Sequence, residues 1–181
     1  MIRFRLHHWR FGVALIAATL VSTASAHSTS DAYITMEAQQ RPDARAAGDT
    51  VIRGQWDIAL RDLHFVLRLD DDGDGNITWG ELRRHIAEIT RYAYPSLRVS
   101  GDGRPCAIDP VRHAVSNRTD GAYVALFFDV RCSGTPSRLK LDYRLLFGID
   151  PSHRGILVLH SGASTVTSLF SPDNATIDVR L

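Results

Sequence analysis

The chain is poor in cysteine and in lysine, and beyond its first residues it has no long apolar run. Cys106 and Cys132 are the only cysteines in 181 residues. With neither a Cys-x-x-Cys motif nor a third thiol, dithiol redox catalysis and a thiolate metal site are not expected. An even pair in an exported protein is most simply one disulfide, and closing a loop of about 26 residues contributes roughly 3 kcal/mol on the chain-entropy model. Lys140 is the one lysine among 21 basic residues, which reads as composition rather than chemistry. No Lys/Arg cluster with interleaved aromatics occurs, so nothing points to nucleic acid. Gly-x-Ser-x-Gly, His-Glu-x-x-His and Walker loops are missing as well, which leaves a non-enzymatic protein with no small-molecule substrate as the expectation.

What is present starts at the N-terminus. Arg3, Arg5 and Arg10 make a positive start, Phe11 to Val21 is apolar, and Ala24-Ser25-Ala26 is a small-residue cleavage site. Residues 1–26 therefore read as a secretory signal peptide cleaved after Ala26, because the run is shorter than the ~20 apolar residues that an anchor needs to span a bilayer. Without its three arginines, 18 basic side chains face 20 acidic ones, a formal charge of −2. The slight basicity of the precursor belongs to the signal, and residues 27–181 amount to one domain with enough chain to bury a core.

Along that domain, Ala32 to Ala38 alternates as a strand, and Ile52, Gly54, Trp56, Ile58 and Leu60 share one face of a second. Asp62 reads as the N-cap of a short helix running to Leu69. Leu82, Ile86, Ile89 and Ala93 recur at helical spacing, and Pro95 ends that helix. From Leu97 onward the period is two, most clearly in Ala122 to Cys132 and in Leu139, Leu141, Tyr143, Leu145 and Phe147. Shorter strands follow at Gly155 to His160, Thr165 to Phe170 and Thr176 to Leu181. The pattern predicts a mainly β, Ig-like β-sandwich carrying an inserted helix-loop-helix at about 62–94.

Between the two predicted helices, Asp70 to Glu81 reads DDDGDGNITWGE. This fits an EF-hand calcium loop: Asp70, Asp72 and Asp74 stand at positions one, three and five, Asn76 offers its carbonyl, Thr78 acts directly or through water, and Glu81 supplies two oxygens. Gly75 stands where the loop turns sharply and a Cβ would strain it. A chance match should arise in fewer than ~1 in 10⁴ chains of this length. The alternative reading is a solvated acidic turn, since Asp and Gly are also the residues ordinary turns use. EF-hands usually pair, and no partner loop is present, so Ile77 must dock on the sandwich or on another molecule. An unpaired site of this kind should bind Ca²⁺ with a Kd of about 10⁻⁵ to 10⁻³ M.

Other polar residues compete with the loop as candidate sites. Cleavage after Ala26 would expose His27, whose amine and imidazole can chelate copper or nickel if His113, His153 or His160 adds a nitrogen. Asp129 and Asp142 are expected to be solvated or paired with Arg131 and Arg144. His85 reads as a surface histidine that could reach Glu81. Asn76, Asn117 and Asn174 begin Asn-x-Thr sequons, which have meaning only in a glycosylating pathway.

The segments GQWDIALRDL (Gly54 to Leu63), LDDDGDGNITWGEL (Leu69 to Leu82), DGAYVAL (Asp120 to Leu126) and LDYRLLFGIDPSHRGIL (Leu141 to Leu157) resemble the exported N-terminal region of HupE/UreJ-like bacterial membrane proteins. The resemblance covers nearly all of the mature chain. It implies a periplasmic location, a calcium loop at Asp70, Asp72, Asp74, Asn76, Thr78 and Glu81, and a membrane protein as partner. The membrane helices into which those relatives continue have no counterpart here, so a transport role is not carried over. The Asp150-Pro151 and His153-Arg154 segment matches too, and reads as a hairpin turn.

Overall fold

The structure, a computed structural model, describes residues 30–38 and 48–181. Residues 1–29 and 39–47, among them the expected signal peptide and His27, lie outside the described residues. The described chain is mainly β, in two sheets. Strands β1 (Asp31–Ala38), β2 (Thr50–Ala59), β5 (Ala107–Arg118), β6 (Gly121–Cys132), β8 (Arg154–Ser161) and β9 (Ser164–Phe170) form a six-stranded sheet in the order β5-β6-β2-β1-β8-β9. Strands β3 (Leu97–Gly101), β4 (Arg104–Pro105), β7 (Arg138–Tyr143) and β10 (Thr176–Arg180) form a second sheet in the order β10-β7-β3-β4. Pairing is antiparallel except between β1 and β8.

The alternation read from the sequence is the alternation of burial. Ile34, Met36, Ile52, Trp56, Val124, Phe128 and Val130 of the large sheet share one cluster with Val99, Leu139, Leu141 and Val179 of the small one, so a single apolar core lies between the sheets. Gly54 belongs to this packing: a Cβ there would run into the ring of Phe128. Cys106 and Cys132 are joined in a disulfide, with Cα atoms 4.4 Å apart, which ties the entry to β5 to the end of β6.

Helix α1 (Leu60–Leu67) follows β2 without a break, and α2 (Trp79–Ala93) follows the acidic loop. Leu63, Leu69, Leu82, Ile89 and Ala93 are fully buried, and at roughly 1.5–3 kcal/mol for each large side chain this burial holds both helices on the sheets. Ile77 is packed against the core of its own domain. No helix among the described residues is long and apolar enough to cross a membrane.

Three local expectations need correction. Asp62 is not an N-cap: Ala59 precedes the helix with no side-chain cap, because the chain passes directly from a buried strand into α1, and Asp62 lies in the first turn. The strand expected to reach Phe147 stops at Tyr143. There the chain leaves the small sheet through a tight turn in which Leu146 has φ +60° and its carbonyl accepts the amides of Ile149 and Asp150. Asp150 to Arg154 is therefore not a hairpin turn but the crossover from β7 to β8 in the other sheet. Strand β5, with Pro110 inside it, escaped the period-two reading; it is an edge strand whose register shifts between Pro110 and Arg112, where a missing amide is tolerated.

Candidate metal centre

The loop after α1 begins as a left-handed turn, with Arg68 at φ +53° donating its amide to the His64 carbonyl. His64 also holds the next element, since its Nδ1 accepts the Asp70 amide at 3.3 Å. Gly73 and Gly75 have φ of +75° and +84°, a region glycine enters without strain.

Within this wrap the acidic side chains fold back onto the backbone. Asp70 accepts the amides of Gly73 (2.8 Å) and Gly75 (2.9 Å), Asp72 accepts that of Asp74 (3.2 Å), and Asp74 that of Asn76 (2.7 Å). These bonds fix three carboxylates so that one oxygen from each lies within 4.8 Å of the others. Hard oxygen donors converging in this way suit a divalent cation such as Ca²⁺.

Asn76, Thr78 and Glu81 are near but do not belong to that trio. The Thr78 hydroxyl accepts the Glu81 amide and donates to Glu81 Oε2 (2.7 Å), and the same oxygen accepts the Thr78 amide, a reciprocal cap at the start of α2. Glu81 Oε1 accepts the Asp71 amide at 2.8 Å, which ties the cap to the opening of the loop. The two bonds from Thr78, with that from Asp71, hold the Glu81 carboxyl at a pKa of about 2 although the side chain is only 2% exposed. The Asn76 amide group lies 3.4 Å from the Asp74 carbonyl.

Asp71 was not separately legible as a structural residue. Its carboxylate holds Arg84 (2.7 Å) and His85 (2.8 Å) of α2, and His85 also reaches Glu88. The hydrogen bond to Asp71 raises the His85 pKa, and that from His85 lowers the Asp71 pKa. His85 thus pairs with Asp71 and Glu88, not with Glu81. A cleft of about 390 Å³ separates the loop from the β5–β6 turn, with His64, Asp70 and Ile77 on one wall and Asp120 and Tyr123 on the other.

The remaining expectations resolve individually. Asp142 pairs with Arg144 (2.8 Å), and Arg131 pairs with Asp109 (2.6 Å) and more loosely with Asp129 (4.0 Å). His113 packs on Trp79, and His160 bonds Thr165. His153 is fully buried with both ring nitrogens engaged, so it is not placed to complete a copper site. No protein-family model matches the chain, and no curated protein matches it in sequence.

Proposed function

We propose that Asp70 to Glu81 is an EF-hand calcium site and that the protein is a calcium-stabilised, non-enzymatic docking or sensing module in the periplasm. The observation that carries this reading is the convergence of Asp70, Asp72 and Asp74, each carboxylate locked by a loop amide, around one point. Asn76 would add its carbonyl, Thr78 its hydroxyl or a bridging water, and Glu81 its carboxylate. The ion would supply positive charge where three carboxylates repel one another. In this reading the two sheets are an Ig-like sandwich on which the EF-hand docks through Ile77. The disulfide suits an oxidising compartment. The resemblance to HupE/UreJ-like proteins supports a membrane partner.

The test is thermal unfolding in EDTA and in millimolar Ca²⁺. At 100 times the Kd, the ion should add about 2.7 kcal/mol by mass action. Asp70→Ala and Glu81→Gln should each remove that gain. An identical melting temperature in both buffers, or an equal response to Mg²⁺, rejects the reading.

A further inference from the structure

At the other end of α1 a second polar assembly is built into the fold. Ser30 Oγ donates to Asp62 Oδ2 at 2.9 Å and lies 2.7 Å from His153 Nδ1, while His153 Nε2 lies 2.7 Å from the Tyr143 hydroxyl. The proton positions follow from what each atom can do. An ionised carboxylate only accepts, so the single Ser30 proton points to Asp62; Ser30 must then accept from His153 Nδ1–H, and Nε2 accepts from Tyr143. Ser30 is 8% exposed, and His153 and Tyr143 are fully buried. The residue before β1, helix α1, strand β7 and the β7–β8 crossover thus meet in a largely buried polar chain that reaches the surface at Asp62, with Asp150 beside it.

The Asp62 carboxylate faces a groove of about 530 Å³ between α1 and the β7–β8 crossover, lined by Phe65, Ile149, Asp62 and Asp150 among others. Phe65 is 77% exposed and Ile149 48%, so both present apolar surface to a partner at the groove. Asp62 and Asp150 repel each other across it, and Arg61, which also lines the groove, is divided between Asp62 (3.3 Å) and Asp120 (3.8 Å), so that two carboxylates face one cation there. Burial together with Asp150 raises the Asp62 pKa in spite of Ser30 and Arg61. Apolar walls with two carboxylates call for an apolar body that carries positive charge.

We propose that this groove docks a segment of a protein partner in which an arginine or lysine is flanked by apolar side chains, the cation seated on Asp62 and Asp150 and the apolar groups on Phe65 and Ile149. Ser30, His153 and Tyr143 are positioning residues that aim Asp62. The inference rests on the docking half of the function proposed above and makes no use of the calcium loop.

The probe is the capped tripeptide acetyl-Leu-Phe-Arg-amide, titrated into the isotope-labelled protein while the backbone amides of Phe65, Ile149 and Asp150 are followed by NMR. The same peptide ending in Glu serves as the charge control. Saturable binding of the Arg peptide, about tenfold tighter than the Glu peptide, is expected. Asp62→Asn should reduce the charge preference to what Asp150 alone sustains, and Phe65→Ser, at a site too exposed to threaten folding, should weaken the Arg peptide. Equal binding of the two peptides, no binding, or an unchanged preference in Asp62→Asn overturns the proposal. A free phenylbutylammonium ion that binds as tightly as the peptide also overturns it, in favour of a small-molecule site. Titrations in EDTA and in Ca²⁺ separate the two proposals: a groove that binds in a protein whose melting ignores Ca²⁺ rejects the loop reading alone.

Discussion

Helix α1 separates two polar assemblies that solve the same problem in opposite ways. Beyond its C-terminus, Asp70, Asp72 and Asp74 crowd in or near solvent, each bonded only to backbone amides within five residues of itself. At its N-terminus, Asp62 is tied through Ser30 to His153 and Tyr143, partners that are 32 to 123 residues apart along the links from Ser30. The loop gathers three carboxylates with no cation of the chain among the partners of their side chains. Within the buried relay Ser30, His153 and Tyr143 satisfy one another, and the arrangement depends on the sheets staying packed. A local acidic site can therefore respond to its medium, while a long-range relay reports the integrity of the fold.

Acid should divide the two regions most sharply. Burial holds the His153 pKa down at about 4, against the pull of Asp150 and Asp31, whereas an unfolded histidine titrates near 6.5. Between these values the unfolded chain binds the extra proton and the folded chain does not. Stability from this group is thus complete above pH 6.5 and is lost as pH falls to about 4, a change of about 3 kcal/mol. Urea midpoints measured in EDTA across this range should fall more steeply for the wild type than for His153→Gln; parallel slopes would remove His153 from the account.

Removing the cap gives an intermediate effect confined to the loop end. Thr78→Ala deletes the side-chain bonds to Glu81 and should cost about 1 kcal/mol, measured in EDTA so that no ion contributes. His153 should titrate as before in this variant, since the cap and the relay share no partner. The smallest change is expected from Arg84→Ala. Its pair with Asp71 is exposed, and its loss should lower stability by less than ~0.5 kcal/mol and vanish in high salt. A larger loss would show that Asp71 is an anchor of the loop instead of a surface partner.

The two regions were not equally legible in the sequence. The three converging carboxylates and the turn glycines of the acidic loop fall within twelve consecutive residues, and amide-bonded carboxylates are local chemistry that spacing alone reveals. The strands with clean alternation, Ala32 to Ala38 and Ala122 to Cys132, were legible for the same reason, because period two needs no knowledge of the partner strand. Leu145 and Phe147 kept that period beyond the end of β7 at Tyr143, and there it misled: the positive φ of Leu146 turns the chain out of the sheet. Pro110 hid β5, since a proline is compatible with a strand only at an edge or a bulge, and both conditions depend on neighbours. The carboxylate of Asp62 looked like a cap and proved to be the end of a relay.

The amino-acid order by itself determined the acidic loop, the alternating strands of the core and the pairing of the only two cysteines. These follow from short-range backbone chemistry, from periodicity or from simple counting. Only the packed structure decided which sheet each strand joins, that Asp150 to Arg154 crosses between sheets, and that Ser30, Asp62, Tyr143 and His153 meet. Contacts between residues more than a hundred positions apart leave no spacing to read, because their energy exists only after the chain has closed on its core.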